Sequence, residues 1–313
     1  MARSARVRCA SIYQRAEDIL HPDLPIGIFD SGVGGLTVYR ALHEKLPDEH
    51  FVYLGDTARV PYGTKSLSTV ERYAVENARF LEAHGIKLLV VACNTASALA
   101  LPAIRESVSV PVVGVIEPGA RAAVANVSES ERRGVGVIAT ESTIKSGAYR
   151  RAIKSLAASV EVIERACPLF VALAEEGWAE TDVARAVAAE YLQDLQNNRV
   201  GALVLGCTHY PILRRVIQET VGADVQLIDS GEATAASVAG LLEREGLKRT
   251  SGREEDLSHS DAPPRRLCDD LDHFYVTDAA ERFARVAERF LGSAPSVLEA
   301  VEVWGHDELH AKK

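Results

Sequence analysis

From Ile26 onward, short and nearly continuous apolar runs alternate with longer stretches in which apolar residues recur every three or four positions. The runs PIGIFD, FVYLGD, KLLVVA, PVVGVI, GVGVIA, VEVIER, GALVLG and VQLID are too short for helices and mostly continuous in apolar residues. They therefore predict strands buried between layers. Helical periodicity predicts helices over Leu67 to His84, Ile144 to Leu156, Glu180 to Gln196 and Ala279 to Leu291. Strands that alternate with amphipathic helices imply an α/β fold with mainly parallel sheets.

Four strands between Ile26 and Ile116 are matched by four between Val135 and Ile228, and the third strand of each set ends at a cysteine. KLLVVACNTAS stands opposite GALVLGCTHYP. The repeat rests on element order, since residue similarity between the halves is thin. It predicts two similar lobes, each a mainly parallel sheet flanked by helices. Open α/β sheets bind ligands beyond the carboxyl ends of their strands, so facing lobes would bring Cys93 and Cys207 together with the active site between them. Residues 1–24 read as a polar extension outside the core, residues 249–270 as a polar surface insert, and residues 293–313 as a loose tail. The segment HFYVTDAAERFARVAERFLG reads as a strand and helix that finish a lobe.

Length and charge narrow the function classes. The chain has 313 residues, enough for two domains, and 47% of them are hydrophobic. A net charge of -9 gives no general attraction for nucleic acid or anionic lipid. No apolar stretch approaches the ~20 residues of a membrane span, and residues 1–20 lack an export signal, which predicts a cytoplasmic location without membrane association. Five scattered cysteines form neither a disulfide framework nor a CxxC zinc pair, so no metal is expected.

Cys93 and Cys207 each follow a strand and precede a helix start, where a helix N-terminus favours thiolate. Either cysteine alone reads equally well as a buried small hydrophobe. Equivalent placement in two repeats argues for joint chemistry. Two thiols on opposite sides of an amino-acid α-carbon supply what stereoinversion needs, a base on one face and an acid on the other. His209 lies two residues from Cys207, close enough to tune it. Asp30 and Ser31 open the glycine-rich DSGVGGLTV, which suits a carboxylate cradle, although Asp30 reads equally as a helix cap. The string lacks GxGxxG spacing and a P-loop lysine, which argues against nucleotide binding. Tyr62, Gly63, Thr140 and Thr143 sit after strands, where plain turns are the simpler reading. Cys9 in the extension and Cys268 in the polar insert stand at no strand end, and Cys167 has no thiol counterpart in the first lobe, so all three read as non-catalytic.

DSGVGGLTV, PYG, ACNTAS, ACPLF and GCTHYP, in this order, resemble the glutamate racemases of the aspartate/glutamate racemase superfamily, over roughly Ile26 to Leu291. The resemblance implies racemisation of glutamate without pyridoxal phosphate or other cofactor, with Cys93 acting on the D-isomer and Cys207 on the L-isomer. It implies that Asp30 and His209 assist the thiols. The substrate site would be lined by Asp30, Ser31, Tyr62, Gly63, Asn94, Thr95, Thr140, Thr143, Thr208 and His209. Glu175 matches a further acidic position, although ALAE stands where members commonly have PLVE, and an exposed helix carboxylate is the alternative. The resemblance also implies a first lobe over residues 25–117 completed by residues 231–292, a second lobe over residues 118–230, and supply of D-glutamate for bacterial peptidoglycan. A homodimer remains open. So does a regulatory contact with DNA gyrase, hinted at only by Arg3, Arg6, Arg8 and Arg15. Aspartate racemisation is the competing enzyme reading.

Overall fold

The computed structural model describes residues 20–127, 134–197, 200–250 and 265–304. Cys9, the arginines of the extension, residues 251–264 of the insert and the end of the tail lie outside the described residues. Each apolar run becomes a strand: β1 (Ile26–Asp30), β2 (Phe51–Gly55), β3 (Leu88–Val91), β4 (Val112–Gly114), β5 (Gly134–Ala139), β6 (Val162–Ala166), β7 (Val200–Gly206) and β8 (Gln226–Asp229). β1, β2, β3, β5 and β7 are buried along their whole length, as expected of strands covered on both faces.

Two sheets result, and every pairing is parallel. One runs β10-β9-β2-β1-β3-β4, where β9 is His273–Val276 and β10 is Val297–Ala300; the other runs β6-β5-β7-β8. The order β2-β1-β3-β4 is thus repeated as β6-β5-β7-β8, the element-order repeat read from the sequence. After β8 the chain enters α11 (Ser230–Arg244), whose start is capped by the Asp229 carboxylate accepting from the Gly231 and Glu232 N–H groups at 2.7 and 3.4 Å. That helix packs against α1 (Leu36–Lys45), and β9 then joins the first sheet beside β2.

Three expectations are corrected. The helix over Ile144 to Leu156 is two helices, α6 (Glu141–Ser146) and α7 (Ala148–Leu156), because Gly147 takes the left-handed conformation (φ 64°) that ends a helix. Residues after Ser293 are not simply a loose tail, since β10 adds to the edge of the first sheet, pairing parallel with β9. The segment VLEA is only four residues long and partly exposed, so no continuous apolar run marks it as a strand. The end of the insert is not a surface loop either. Cys268 is buried, and its N–H donates to the Tyr39 hydroxyl at 2.8 Å. Asp272 accepts from that hydroxyl at 2.7 Å and from the Phe51 N–H at 3.0 Å, while Arg265 pairs with Asp269 and Asp272. Local polarity concealed this anchor because its partners lie more than 200 residues away.

Candidate active site

The strand order places the candidate residues. In each sheet the chain winds in opposite directions from the first strand, leaving a crevice at the carboxyl ends of β1 and β3 in one sheet and of β5 and β7 in the other. Asp30 ends β1 and Cys93 follows β3 by one residue; Thr140 follows β5 and Cys207 follows β7. The repeat therefore sets the two cysteines at equivalent crevices.

Cys93 caps α3 (Asn94–Leu99) and is buried, with its Sγ 3.4 Å from the Ser31 hydroxyl. The expected lowering of its pKa at a helix N-terminus is overturned. Burial, reinforced by the nearby Asp30 charge, pushes the thiol up to about 12, against opposing help from Ser31 and the Ala96 N–H. Asp30 is also buried and its pKa is raised by burial, opposed by the positive charge of His209 and by the Gly35, Gly32 and Ser31 N–H groups. One oxygen accepts from the Gly32 N–H at 3.0 Å, whereas Oδ1 has no protein partner.

On the other side, Cys207 Sγ lies 3.8 Å from His209 Nδ1, and His209 Nε2 lies 3.0 Å from Glu175 Oε1. Glu175 ends α8 (Leu169–Glu175), the helix after β6. Burial alone disfavours imidazolium, but the hydrogen bonds and charges of Cys207 and Glu175 outweigh it and push His209 up to about 10. Burial likewise opposes ionisation of Glu175, and His209 and Arg282 more than offset it, holding the carboxyl below its ordinary range. Glu175 is thus no exposed helix carboxylate.

Threonine hydroxyls bridge the lobes. Thr95 Oγ1 lies 3.0 Å from Thr140 Oγ1 and 3.2 Å from Thr143 Oγ1, with Thr140 and Thr143 3.0 Å apart. Tyr149 donates to Asn94 Oδ1 at 2.7 Å, and the buried Asn94 Nδ2 has no protein partner. Thr37 donates to the Thr208 carbonyl at 2.8 Å. The approach is tight enough at Gly34 that an added Cβ would lie 2.3 Å from Thr208 Oγ1 and 2.5 Å from the His209 ring.

Between these groups is a cavity of about 60 Å³, room for a few water-sized groups. Both cysteines line it, with Ser31, Tyr62, Gly63, Asn94, Thr95, Thr140, Glu175, Thr208 and His209. Asp30 and Thr143 stand behind that wall. The Tyr62 hydroxyl is committed to Asp56 and accepts from Asn77 at 3.0 Å, so Tyr62 offers the cavity no free hydroxyl. Gly32, Val60, Pro61 and Val171 complete the wall. Gly32 belongs to the DSGVGGLTV string and Pro61 opens the PYG string, which Val60 directly precedes; Val171, one apolar residue in a helix, carried no signal. Cys167 is buried beneath Tyr210, whose hydroxyl donates to its carbonyl at 2.8 Å, consistent with packing. Among the described residues no three His, Cys, Asp or Glu side chains are grouped to hold a metal ion, and no helix is long and apolar enough to cross a membrane.

A sequence profile of the Asp/Glu/hydantoin racemase family matches residues 26–238. A glutamate racemase of Geobacter metallireducens is 55% identical over 267 residues, 85% of this chain and 92% of that protein. Among solved structures, a glutamate racemase isoform from Bacillus anthracis superposes with a TM-score of 0.80 at 35% identity, covering 90% of this chain and 98% of that one. The glutamate racemase of Francisella tularensis, solved in complex with D-glutamate, gives 0.78 at 37% identity with the same coverage.

Proposed function

Because the chain belongs to the Asp/Glu/hydantoin racemase family and is a racemase, we propose that it interconverts L- and D-glutamate by a two-cysteine acid/base mechanism. The observation that carries this reading is the meeting of Cys93 and Cys207, from equivalent crevices of two repeated sheets, on one cavity. Two bases on opposite faces of an α-carbon perform inversion without moving the substrate.

The resting charges suit this division of labour. Cys93, with its pKa near 12, holds its proton and serves as the acid. His209, protonated with Glu175 behind it, supplies the positive charge that a Cys207 thiolate requires. L-Glutamate then loses its α-proton to Cys207 and gains one from Cys93, leaving D-glutamate and the opposite pattern of thiol and thiolate. In the reverse direction Cys93 is the base and Asp30 assists it. Asn94 Nδ2, buried without a protein partner, donates to a substrate carboxylate, and the bridging threonines close the lobes over it. Buried polar atoms left unpaired are costly, so a ligand that satisfies them gains affinity. The chemistry calls on no metal or pyridoxal phosphate, and we place the enzyme in the cytoplasm, supplying D-glutamate for peptidoglycan.

In deuterium oxide, D-glutamate formed from L-glutamate should carry deuterium at the α-carbon from the first turnovers, while the remaining L-glutamate gains label more slowly. Cys93→Ser and Cys207→Ser should each lose racemisation by at least roughly 1,000-fold, a hydroxyl being a far poorer base than a thiol. Retention of the original hydrogen in product, or racemisation at close to the wild-type rate by either folded variant, would refute the mechanism. L-Aspartate assayed beside L-glutamate tests the substrate assignment, and faster turnover of aspartate would reverse it.

A further inference from the structure

We propose that Arg282 is a positioning residue for the Cys207 side of the site, holding the outer oxygen of Glu175 so that the inner oxygen stays on His209. The inference rests on the two-cysteine reading above. Arg282 and Arg289 lie seven residues apart on α12 (Ala280–Leu291), two turns along one face. Arg282 Nη2 donates to Glu175 Oε2 at 3.1 Å, and Arg289 Nη1 donates to the Glu175 carbonyl at 2.7 Å. The adjacent Phe290 meets the His209 ring edge to face, with centroids 6.1 Å apart. One helix therefore grips both ends of the Glu175 residue and backs the imidazole it serves.

That helix belongs to the opposite lobe. α12 follows β9 and packs against α1 and β10, whereas Glu175 and His209 come from segments following β6 and β7 of the second sheet. A glutamate carboxylate turns easily about its terminal torsion. With only His209 to fix it, Oε1 would share its time between the imidazole and solvent. Arg282 is 57% exposed and also lies 3.7 Å from Glu176, so its ion pairs contribute little to stability. What it supplies is the orientation of one carboxylate. Among the described residues, the groups hydrogen-bonded to Cys93, the Ser31 hydroxyl and the Ala96 N–H, come from its own lobe and not from α12. Loss of Arg282 should therefore weaken one face of the reaction only.

Racemisation hides such an asymmetry. Enantiomers have equal free energy, so kcat/KM is the same in both directions whatever the variant. Elimination from β-chloroalanine exposes it, because one base removes the α-proton, chloride leaves, and the 2-aminoacrylate formed is hydrolysed to pyruvate and ammonium. Arg282→Gln should lower kcat/KM for β-chloro-L-alanine about three- to tenfold, the scale of one ordinary hydrogen bond, since the exposed pair is screened by solvent, and leave β-chloro-D-alanine within about twofold. Arg282→Lys should restore most of the loss. In a Glu175→Gln background Arg282→Gln should add nothing, because the arginine acts through that carboxylate. Equal losses on both isomers, no loss on either, or a full additional loss in the Glu175→Gln background would overturn the proposal, with circular dichroism confirming that each variant is folded. If instead Cys207→Ser fails to spare the D-isomer selectively, the two-cysteine reading itself falls. If the cysteine variants split the isomers as expected while Arg282→Gln is silent, only the role of Arg282 falls.

Discussion

His209 shows most directly how neighbours determine what a side chain can do. Its imidazole is buried, which by itself favours the neutral form, yet Cys207 and Glu175 on its two nitrogens push its pKa up to about 10 from an ordinary value near 6.5. A group whose pKa is raised on folding contributes stability that is present in full below its unfolded value and lost as pH rises through the folded one. His209 should therefore stabilise the protein fully at pH 6 and progressively less from about pH 6.5 to 10. Thermal melts of the wild type and His209→Gln across this range should show a difference in Tm that narrows as pH rises. A constant or widening difference would show that His209 is neutral in the resting protein. Cys93 teaches the complementary lesson: a helix start favours its thiolate, but full burial beside Asp30 outweighs that and keeps the proton on sulfur.

Several elements end at the cavity. β3 stops at Val91, so Cys93 stands at the sheet edge rather than within it, and β7 stops at Gly206 with the same result for Cys207. α6 is confined to six residues, which sets Thr140 and Thr143 at its first turn facing Thr95. Gly147 enforces that length. At φ 64° a side chain is disfavoured by about 1–2 kcal/mol, although the space around it is open except for Arg151 at 3.3 Å. Gly147→Ala should therefore destabilise the protein by about 1 kcal/mol in urea unfolding, with a modest loss of activity. A neutral or stabilising change would mean that the break between α6 and α7 is set elsewhere.

For the whole molecule, the consequence of the fold is that ligand and closure are linked. Threonine hydroxyls, the Asn94–Tyr149 hydrogen bond and the Thr37 contact to Thr208 all cross between the lobes around the cavity. A ligand held there binds the folded, closed arrangement and not the unfolded chain. At 100 times its Kd such a ligand stabilises by about 2.7 kcal/mol, so D-glutamate should raise Tm by roughly 5 °C and D-aspartate at the same concentration should raise it less. Equal shifts for the two would argue against glutamate as the preferred ligand.

Much of this architecture was legible in local patterns. Continuous apolar runs announce β1 to β8 because buried parallel strands need no polar face, and the cysteines at the ends of KLLVVA and GALVLG mark the crevices because strand ends in this fold class face the ligand. Sequence order also carried the repeat, which the two sheets show as one strand order used twice. Tertiary structure alone decided what depends on distant residues. β10 exists because β9 offers it an edge; Cys268 is buried because Tyr39 and Asp272 receive its segment; Glu175 is aligned because α12 returns from the far end of the chain. A periodicity reports the face a residue presents. It does not report the partner that waits there 100 or 200 residues away. The thiolate expected of Cys93 at a helix start is reversed for the same reason, since burial and the Asp30 charge are properties of the assembled site.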